Sequence, residues 1–364
     1  MKETLIVRGA PQEYICEIDC WNGLEERLIQ RGLQHVLVVH GKASWEVAKA
    51  KFPRFNIIQA SFEEYHGESS YEERDRLIAI IKAQGLDGIV AVGGGKISDV
   101  VKAAAAKLHI PSIILPTMAS TCAAYTPLSV MYNEKGEMTA LDIFPTSNSL
   151  VLVDPEIILN SPIKFMVAGI GDTLAKWYEA RVVIEQIENP PVEVEVAYFA
   201  AKLCHSNLLA YSESALEAME RQEINSAFIK IVETNILVAG MVGGFGDEYG
   251  RTAGAHSIHD ALTIVPASHR QLHGNKVAYS IFLQLILEGK VSEIAELIPF
   301  YQQLGLPISL ADMGLAGTSP DLLRKVAELA TAEGENIHLL PDEITAEKLF
   351  QAFATLEEYQ AEFI

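Results

Sequence analysis

The sequence predicts an α/β domain followed by an all-α domain. Two patterns and the length carry this. Short Val/Ile/Leu-rich runs alternate with amphipathic stretches as far as residue 153. Beyond Pro162 only long helical periodicities remain, punctuated by Gly and Pro. At 364 residues the chain is also long for one core, since single cores stop growing at roughly 250–300 residues. The domains are therefore expected at 1–160 and 161–364, divided where the composition shifts.

In chain order, residues 4–8 (TLIVR) read as a strand, and 22–32 as a helix with Leu24, Leu28 and Ile29 on one face. Strand 35–40 (HVLVVH), helix 43–51, strand 56–59 and helix 71–84 follow. Next come strand 87–92 (DGIVAV), helix 97–108, strand 112–115 (SIIL) and strand 150–153 (LVLV). Continuous apolar strands separated by helices indicate a parallel sheet with both faces covered. Ala103–Ala106 fits a helix pressed onto such a sheet.

The formal charge is −20 with 21% charged residues. Eight acids and one Lys in residues 331–364 account for −7 of it. So acidic a surface repels phosphate backbones and anionic lipid, which argues against nucleic-acid and membrane-surface partners. The four cysteines, Cys16, Cys20, Cys122 and Cys204, form no C-x-x-C pair and are too few for a disulfide scaffold. There is no secretory h-region and no run of eighteen apolar residues, so a cytoplasmic protein without a membrane span is expected.

Two segments suggest a ligand. Strand 87–92 runs into Gly93-Gly94-Gly95-Lys96, with Asp99 on the next helix. Glycines allow close backbone approach, and the first helical N–H groups then face an anion such as a pyrophosphate. The pattern is neither G-x-G-x-x-G nor a P-loop, and a plain tight turn is the alternative. A hydroxyl-rich stretch, Pro116 to Tyr132, follows the next strand at the sheet edge where such folds bind ligands. It could equally be a connector. Asp172, His256 and His273 make up a two-histidine, one-carboxylate set that would leave a metal position open. No spacing rule brings Asp172 to His256, and histidines at helix ends more often cap. His256 and His259 are three apart and share a helix face.

Together, GGGKISD, PTMAST…LSVMY, GIGDTLAKWYEA, AHSIHDALT and LHGNKVAYS resemble the iron-containing alcohol dehydrogenase superfamily, in its glycerol-dehydrogenase-like branch. The resemblance implies a dinucleotide-binding domain, a helical domain and an active site in the cleft between them. It implies NAD(P) phosphates over Gly94, Gly95 and Lys96, with Asp99 nearby. Thr117, Ser120, Thr126, Leu128 and Tyr132 would supply further cofactor contacts. It implies a divalent metal on Asp172, His256 and His273, with zinc favoured over iron or nickel. His259 would be the adjacent non-ligand histidine, a proton relay or a structural hydrogen-bonding group. A small-molecule substrate and a homo-oligomer are expected.

Three departures bear on substrate and cofactor. Cys122 stands where glycerol dehydrogenases carry an Asp that binds polyol hydroxyls, and a neutral thiol does not repel a carboxylate. Lys176, four residues after Asp172, replaces a histidine ligand of many members and can pair with an anion. A salt bridge to Glu179 is the alternative. The stretch DPEIILN and the motifs around Cys122 and Lys176 resemble bacterial hydroxycarboxylate dehydrogenases of this superfamily, implying reduction of 2-oxo acids such as 2-oxoglutarate or 2-oxobutanoate. After the second strand no acid faces a 2′-phosphate, and His40 or Lys42 could meet one, which favours NADPH over NADH. The competing expectations are a glycerol or vicinal-diol dehydrogenase, a 3-dehydroquinate synthase-like lyase, and a non-catalytic nucleotide-binding protein.

Overall fold

A computed structural model describes residues 4–360. These residues fall into two compact units. One comprises Arg8–Ile163 and Ala215–Gly240, the other residues 4–7, 164–214 and 241–360. One division thus falls at Ile163/Lys164, but Ala215–Gly240 joins the first unit and residues 4–7 the second.

The first unit is built on a six-stranded parallel sheet. Its strands are β1 (Tyr14–Cys16), β2 (His35–His40), β3 (Gln59–Glu64), β4 (Gly88–Gly93), β5 (Ser112–Pro116) and, after a separate hairpin, β8 (Leu150–Val153). The spatial order is β1-β8-β5-β4-β2-β3. Side chains alternate between faces. Val36, Val38, Val90, Val92, Ile113, Leu115, Leu150 and Leu152 line one face and pack with Trp21, Leu24 and Leu28. Leu37, Val39, Ile89, Ala91, Ile114 and Val151, on the other face, are equally buried. Burial on both faces is why these strands read as continuous apolar runs. Helices α1 (Leu24–Gln30), α2 (Lys42–Ala48), α3 (Tyr71–Gln84) and α4 (Gly95–Leu108) connect them.

Several expected elements move. Residues 4–8 are not a strand: Ile6 and Val7 stay 43% and 44% exposed, and the Ile6 N–H donates to the Asp247 carboxylate rather than to a ladder. The first strand is instead β1, paired with β8. The strand expected at 56–59 begins at Gln59, because the N–H groups of Asn56, Ile57 and Ile58 all donate to Glu25 Oε1. The end of the Pro116–Tyr132 stretch is not a connector: it forms an antiparallel hairpin with a segment for which the sequence predicts no element, β6 (Leu128–Tyr132) with β7 (Met138–Ile143). Its turn is set by the Asn133 side chain, which accepts from the Lys135 and Glu137 N–H groups, and by Gly136 at φ 77°.

After β8 every described element is helical, as expected. They run from α5 (Pro155–Leu159), α6 (Ile163–Ile184), α7 (Val192–Arg221), α8 (Ser226–Glu233) and α9 (Ala239–Gly246) to α10 (Gly254–Leu262), α11 (His273–Leu287), α12 (Val291–Leu304), α13 (Pro320–Ala330) and α14 (Ala346–Gln360). A π-helical stretch, Thr234–Val238, joins α8 to α9. The continuous run Ser226–Tyr249 is long and apolar enough to cross a membrane by length and composition alone. It carries Lys230 and Glu233, and most of its apolar stretch is buried inside the protein, as for a core helix.

Candidate active site

Within the second unit, three distant segments converge. Asp172 lies in mid-α6, His256 in the first turn of α10, and His273 at the start of α11. The convergence of α6 and α11 depends on glycine. A Cβ on Gly274 would lie 1.7 Å from the Ala168 carbonyl oxygen, and one on Gly171 would lie 2.6 Å from the Gly274 oxygen. Only hydrogen at both positions lets the two backbones touch, and Asp172 and His273 are the residues adjoining this contact.

His256 Nε2 and His273 Nε2 stand 3.4 Å and 3.3 Å from Asp172 Oδ1. All three ligand atoms lie within 4.8 Å of one another. Asp172 is 3% exposed, and its Oδ1 is buried without a well-formed hydrogen bond. Tetrahedral ligands bonded at about 2.0–2.1 Å stand roughly 3.3 Å apart, so these spacings fit a divalent ion of zinc type. The donor set and the orphaned oxygen both suit a metal.

Glu179, seven residues after Asp172 on α6 and 1% exposed, organises His256. Its Oε2 accepts from His256 Nδ1 at 2.6 Å, which leaves Nε2 as the free lone pair facing Asp172. Its Oε1 accepts the N–H groups of Ala253 (2.7 Å) and His256 (2.9 Å), while Gln284 Oε1 takes that of Ala255 (2.9 Å). Two side chains from α6 and α11 therefore cap α10, whose own N-terminus lacks a capping side chain. Removing the carboxylate charge by Glu179→Gln is expected to weaken metal affinity about 10–100-fold. Equilibrium dialysis against zinc would show it, and unchanged affinity would exclude Glu179 from orienting the ligand.

Electrostatics follow from burial and pairing. Burial opposes ionisation of Asp172, but His256, His273 and Lys176 outweigh it and hold the carboxyl well below its usual range. For His256 burial likewise opposes charge, yet Glu179 and Asp172 raise it to about 9. A metal and a proton thus compete for this ring. His259 goes the other way. Burial and the neighbouring His273 push it down to about 3, so it is neutral. Its Nδ1 faces Asp260 Oδ1 at 2.9 Å, its Nε2 is buried without a partner, and its ring centroid is 4.3 Å from that of His273. Lys176 is 8% exposed, and its Nζ donates to the Arg251 carbonyl at 3.4 Å. Its charge also helps keep Asp172 and Glu179 ionised.

In the first unit a second constellation forms at the carboxyl ends of β2, β4 and β5. From β2 the chain moves outward to β3, and from β4 it moves the other way to β5 and β8, so the order reverses between β2 and β4. Ligands bind at such switch points. His40 ends β2, its Nδ1 buried without a hydrogen bond and its ring stacked on Trp45 at 4.6 Å. Lys42 opens α2 and is exposed. Gly94 is the N-cap of α4 and Gly95 its first residue, with no side-chain cap. A Cβ on Gly94 would lie 2.9 Å from Met118 Sδ, and one on Gly95 3.2 Å from Thr121 Oγ1. Lys96 pairs with Glu68 and lies 5.5 Å over the Tyr132 ring. The Thr117 and Thr126 hydroxyl oxygens are buried and unpartnered, while Ser120, Cys122 and Leu128 are partly exposed along the same segment. A glycine cradle, uncapped helix amides and orphaned hydroxyls fit a dinucleotide.

Asp99 differs from the simple picture. Its carboxylate takes the Val130 N–H at 3.3 Å and pairs with Lys102 at 2.9 Å, so it also holds the hairpin to α4. Two residues that the sequence does not single out shape this loop, Lys102 and Asn235. The Asn235 side chain, in the π-helical stretch, donates to the Ala119 carbonyl at 3.0 Å. This contact is one of the ties between Ala215–Gly240 and the rest of the first unit.

Comparison with known proteins gives the family. Residues 11–155 match the family description "Iron-containing alcohol dehydrogenase". The chain is 37% identical to hydroxycarboxylate dehydrogenase A of Escherichia coli (strain K12), over 96% of this chain and 97% of that protein. It is also 37% identical to the glycerol dehydrogenase of Thermotoga maritima, over 96% of each. The crystal structure of a probable glycerol dehydrogenase from Sinorhizobium meliloti 1021 superposes with a TM-score of 0.90 at 30% identity, covering 98% of this chain and 100% of that one. The family uses NAD(H) and a divalent metal, and its members act on small molecules. With the metal-type triad, the glycine cradle and full-length relatives in agreement, the chain belongs to the iron-containing alcohol dehydrogenase family and is an oxidoreductase acting on alcohol or hydroxy groups.

Proposed function

We propose that the protein interconverts 2-oxo acids and 2-hydroxy acids, with NADPH favoured over NADH and zinc favoured at Asp172, His256 and His273. The observation that carries this reading is a buried ammonium, Lys176, one helical turn from Asp172. Among Asp172, Glu179 and Lys176 one negative charge is left over, and a divalent ion would turn that excess positive. Such a site favours a substrate carboxylate. The neutral Cys122, which stands in the sequence where glycerol dehydrogenases carry an Asp, fits the same substrate class. The similarity to a hydroxycarboxylate dehydrogenase supports the same class.

A metal on the triad supplies Lewis acidity, and a nicotinamide supplies or accepts the hydride. The rest belongs to this chain's residues. Glu179 fixes the His256 tautomer and ring angle. Lys176 orients the substrate carboxylate. His259, neutral and with Nε2 open, suits passing a proton transiently rather than storing one. Gly94 and Gly95 admit the pyrophosphate, and His40 with Lys42 is the place for a 2′-phosphate.

A second reading, oxidation of glycerol or another vicinal diol, is supported by the equal similarity to a glycerol dehydrogenase. A carbonyl panel separates the two. Zinc-loaded protein should oxidise NADPH faster with 2-oxobutanoate than with dihydroxyacetone, and more slowly when NADH replaces NADPH. Lys176→Ala should raise the 2-oxo acid KM about tenfold or more, the scale of a lost charge-assisted contact. Faster turnover of dihydroxyacetone would favour the diol reading, and an unchanged KM would remove Lys176 from substrate binding.

A further inference from the structure

We propose that Lys102 is a positioning residue for the dinucleotide: its buried ammonium gathers the backbone of residues 123–128 and so sets the hydroxyl loop against the glycine turn. The ligand's identity rests on the reading above; the loop geometry does not. Lys102 lies on α4, seven residues beyond Gly95, and is 2% exposed. Its Nζ donates to the Ala123 carbonyl at 2.6 Å, to that of Thr126 at 3.1 Å, and to that of Leu128. Asp99 Oδ1, one turn earlier on the helix, balances the charge at 2.9 Å.

A buried ammonium is costly to desolvate, and an apolar side chain, as in the adjoining Ala103–Ala106 run, would avoid that cost. What the charge provides here is shape. From Thr117 to Pro127 the chain has neither helix nor strand, so no ladder fixes it. An ammonium has three donors, and three carbonyls converge on it. The loop so held forms one wall of the anion cradle, with Met118 and Thr121 packed at the Gly94 and Gly95 positions. It also carries the two unpartnered hydroxyls, Thr117 and Thr126, whose buried oxygens await a polar ligand. Lys102 touches none of these groups and acts through the backbone alone.

The test uses the full chain with Lys102→Met and Lys102→Arg. Amide hydrogen exchange across residues 117–128 should accelerate about tenfold or more in Lys102→Met, with α11 unchanged. The Kd for NADH or NADPH, read by nucleotide fluorescence, should rise about tenfold or more, while kcat at saturating cofactor stays within about threefold. Lys102→Arg, with its charge kept but its reach altered, should fall between, about threefold above wild type. A merely structural role would instead lower the active fraction and leave Kd alone. Unchanged loop exchange, or an unchanged Kd beside faster exchange, overturns the proposal. If Lys102→Met does not fold, Lys102→Arg decides, and a wild-type Kd in that variant overturns it. If wild-type protein binds neither nucleotide, the nicotinamide reading fails, and loop exchange alone then decides whether Lys102 sets the loop.

Discussion

Gly274→Ala should cost the protein both stability and metal. The added methyl would sit 1.7 Å from the Ala168 carbonyl oxygen and 2.5 Å from its carbon, both backbone atoms, where the first turn of α11 meets α6 and both residues are buried. No side-chain rotation relieves this clash, so α11 must move away from α6. Overpacking usually costs about 1–3 kcal/mol, and a backbone clash belongs at or above the top of that range. At about 2–4 °C per kcal/mol for a large domain, Tm should fall by roughly 6–12 °C. His273 is the preceding residue and moves with the backbone, so zinc stoichiometry should fall in the same sample. Calorimetry and metal analysis on one preparation check both. A wild-type Tm with full metal content would mean that the two helices do not meet there.

The second large effect is chemical. Asp172→Asn keeps the shape but removes the only anionic ligand of the triad. The neutral amide binds a divalent ion poorly and leaves Lys176 facing Glu179 as its remaining nearby acid. Lewis-acid stabilisation of a reacting oxygen is worth several kcal/mol, so kcat/KM should drop about a thousandfold or more. Nucleotide affinity should stay within about twofold, because Asp172 is not one of the residues that form the glycine cradle. A variant that retained both zinc and turnover would show that Asp172 is not a ligand.

What the sequence made legible follows from what was buried. Strands β2, β4, β5 and β8 are covered on both faces, so their apolar runs stand out and their boundaries fall within a residue of those expected. β6 alternates between partly buried and buried positions and β7 between partly buried and exposed ones, and β6 is embedded in a hydroxyl-rich run. Short strands set among small hydroxyl residues leave little periodicity to read. The residues proposed to hold a metal were legible by type, but their meeting depends on a glycine-to-glycine helix contact that no spacing rule encodes. Glu179 was visible as an acid two turns after Asp172, yet its job is to hold a histidine on a different helix. Lys102 was hidden for a similar reason: its partners are carbonyl oxygens, which every residue has.

The path of the chain between the two units has a consequence for how the protein is made. It crosses from one to the other four times, after Val7, Ile163, Ser214 and Gly240. Asn235, which anchors Ala119, therefore leaves the ribosome long after the sheet strands have emerged. The sheet can assemble early, but the loop along the glycine turn keeps one of its anchors unfilled until α6 and α7, most of which belong to the other unit, have been synthesised. Domains usually fold as units in the order they are made. Here that order is interrupted, and neither unit can finish as an uninterrupted stretch of chain. Closing such sequence-distant contacts slows folding, so the Asn235–Ala119 contact is expected to form after the sheet.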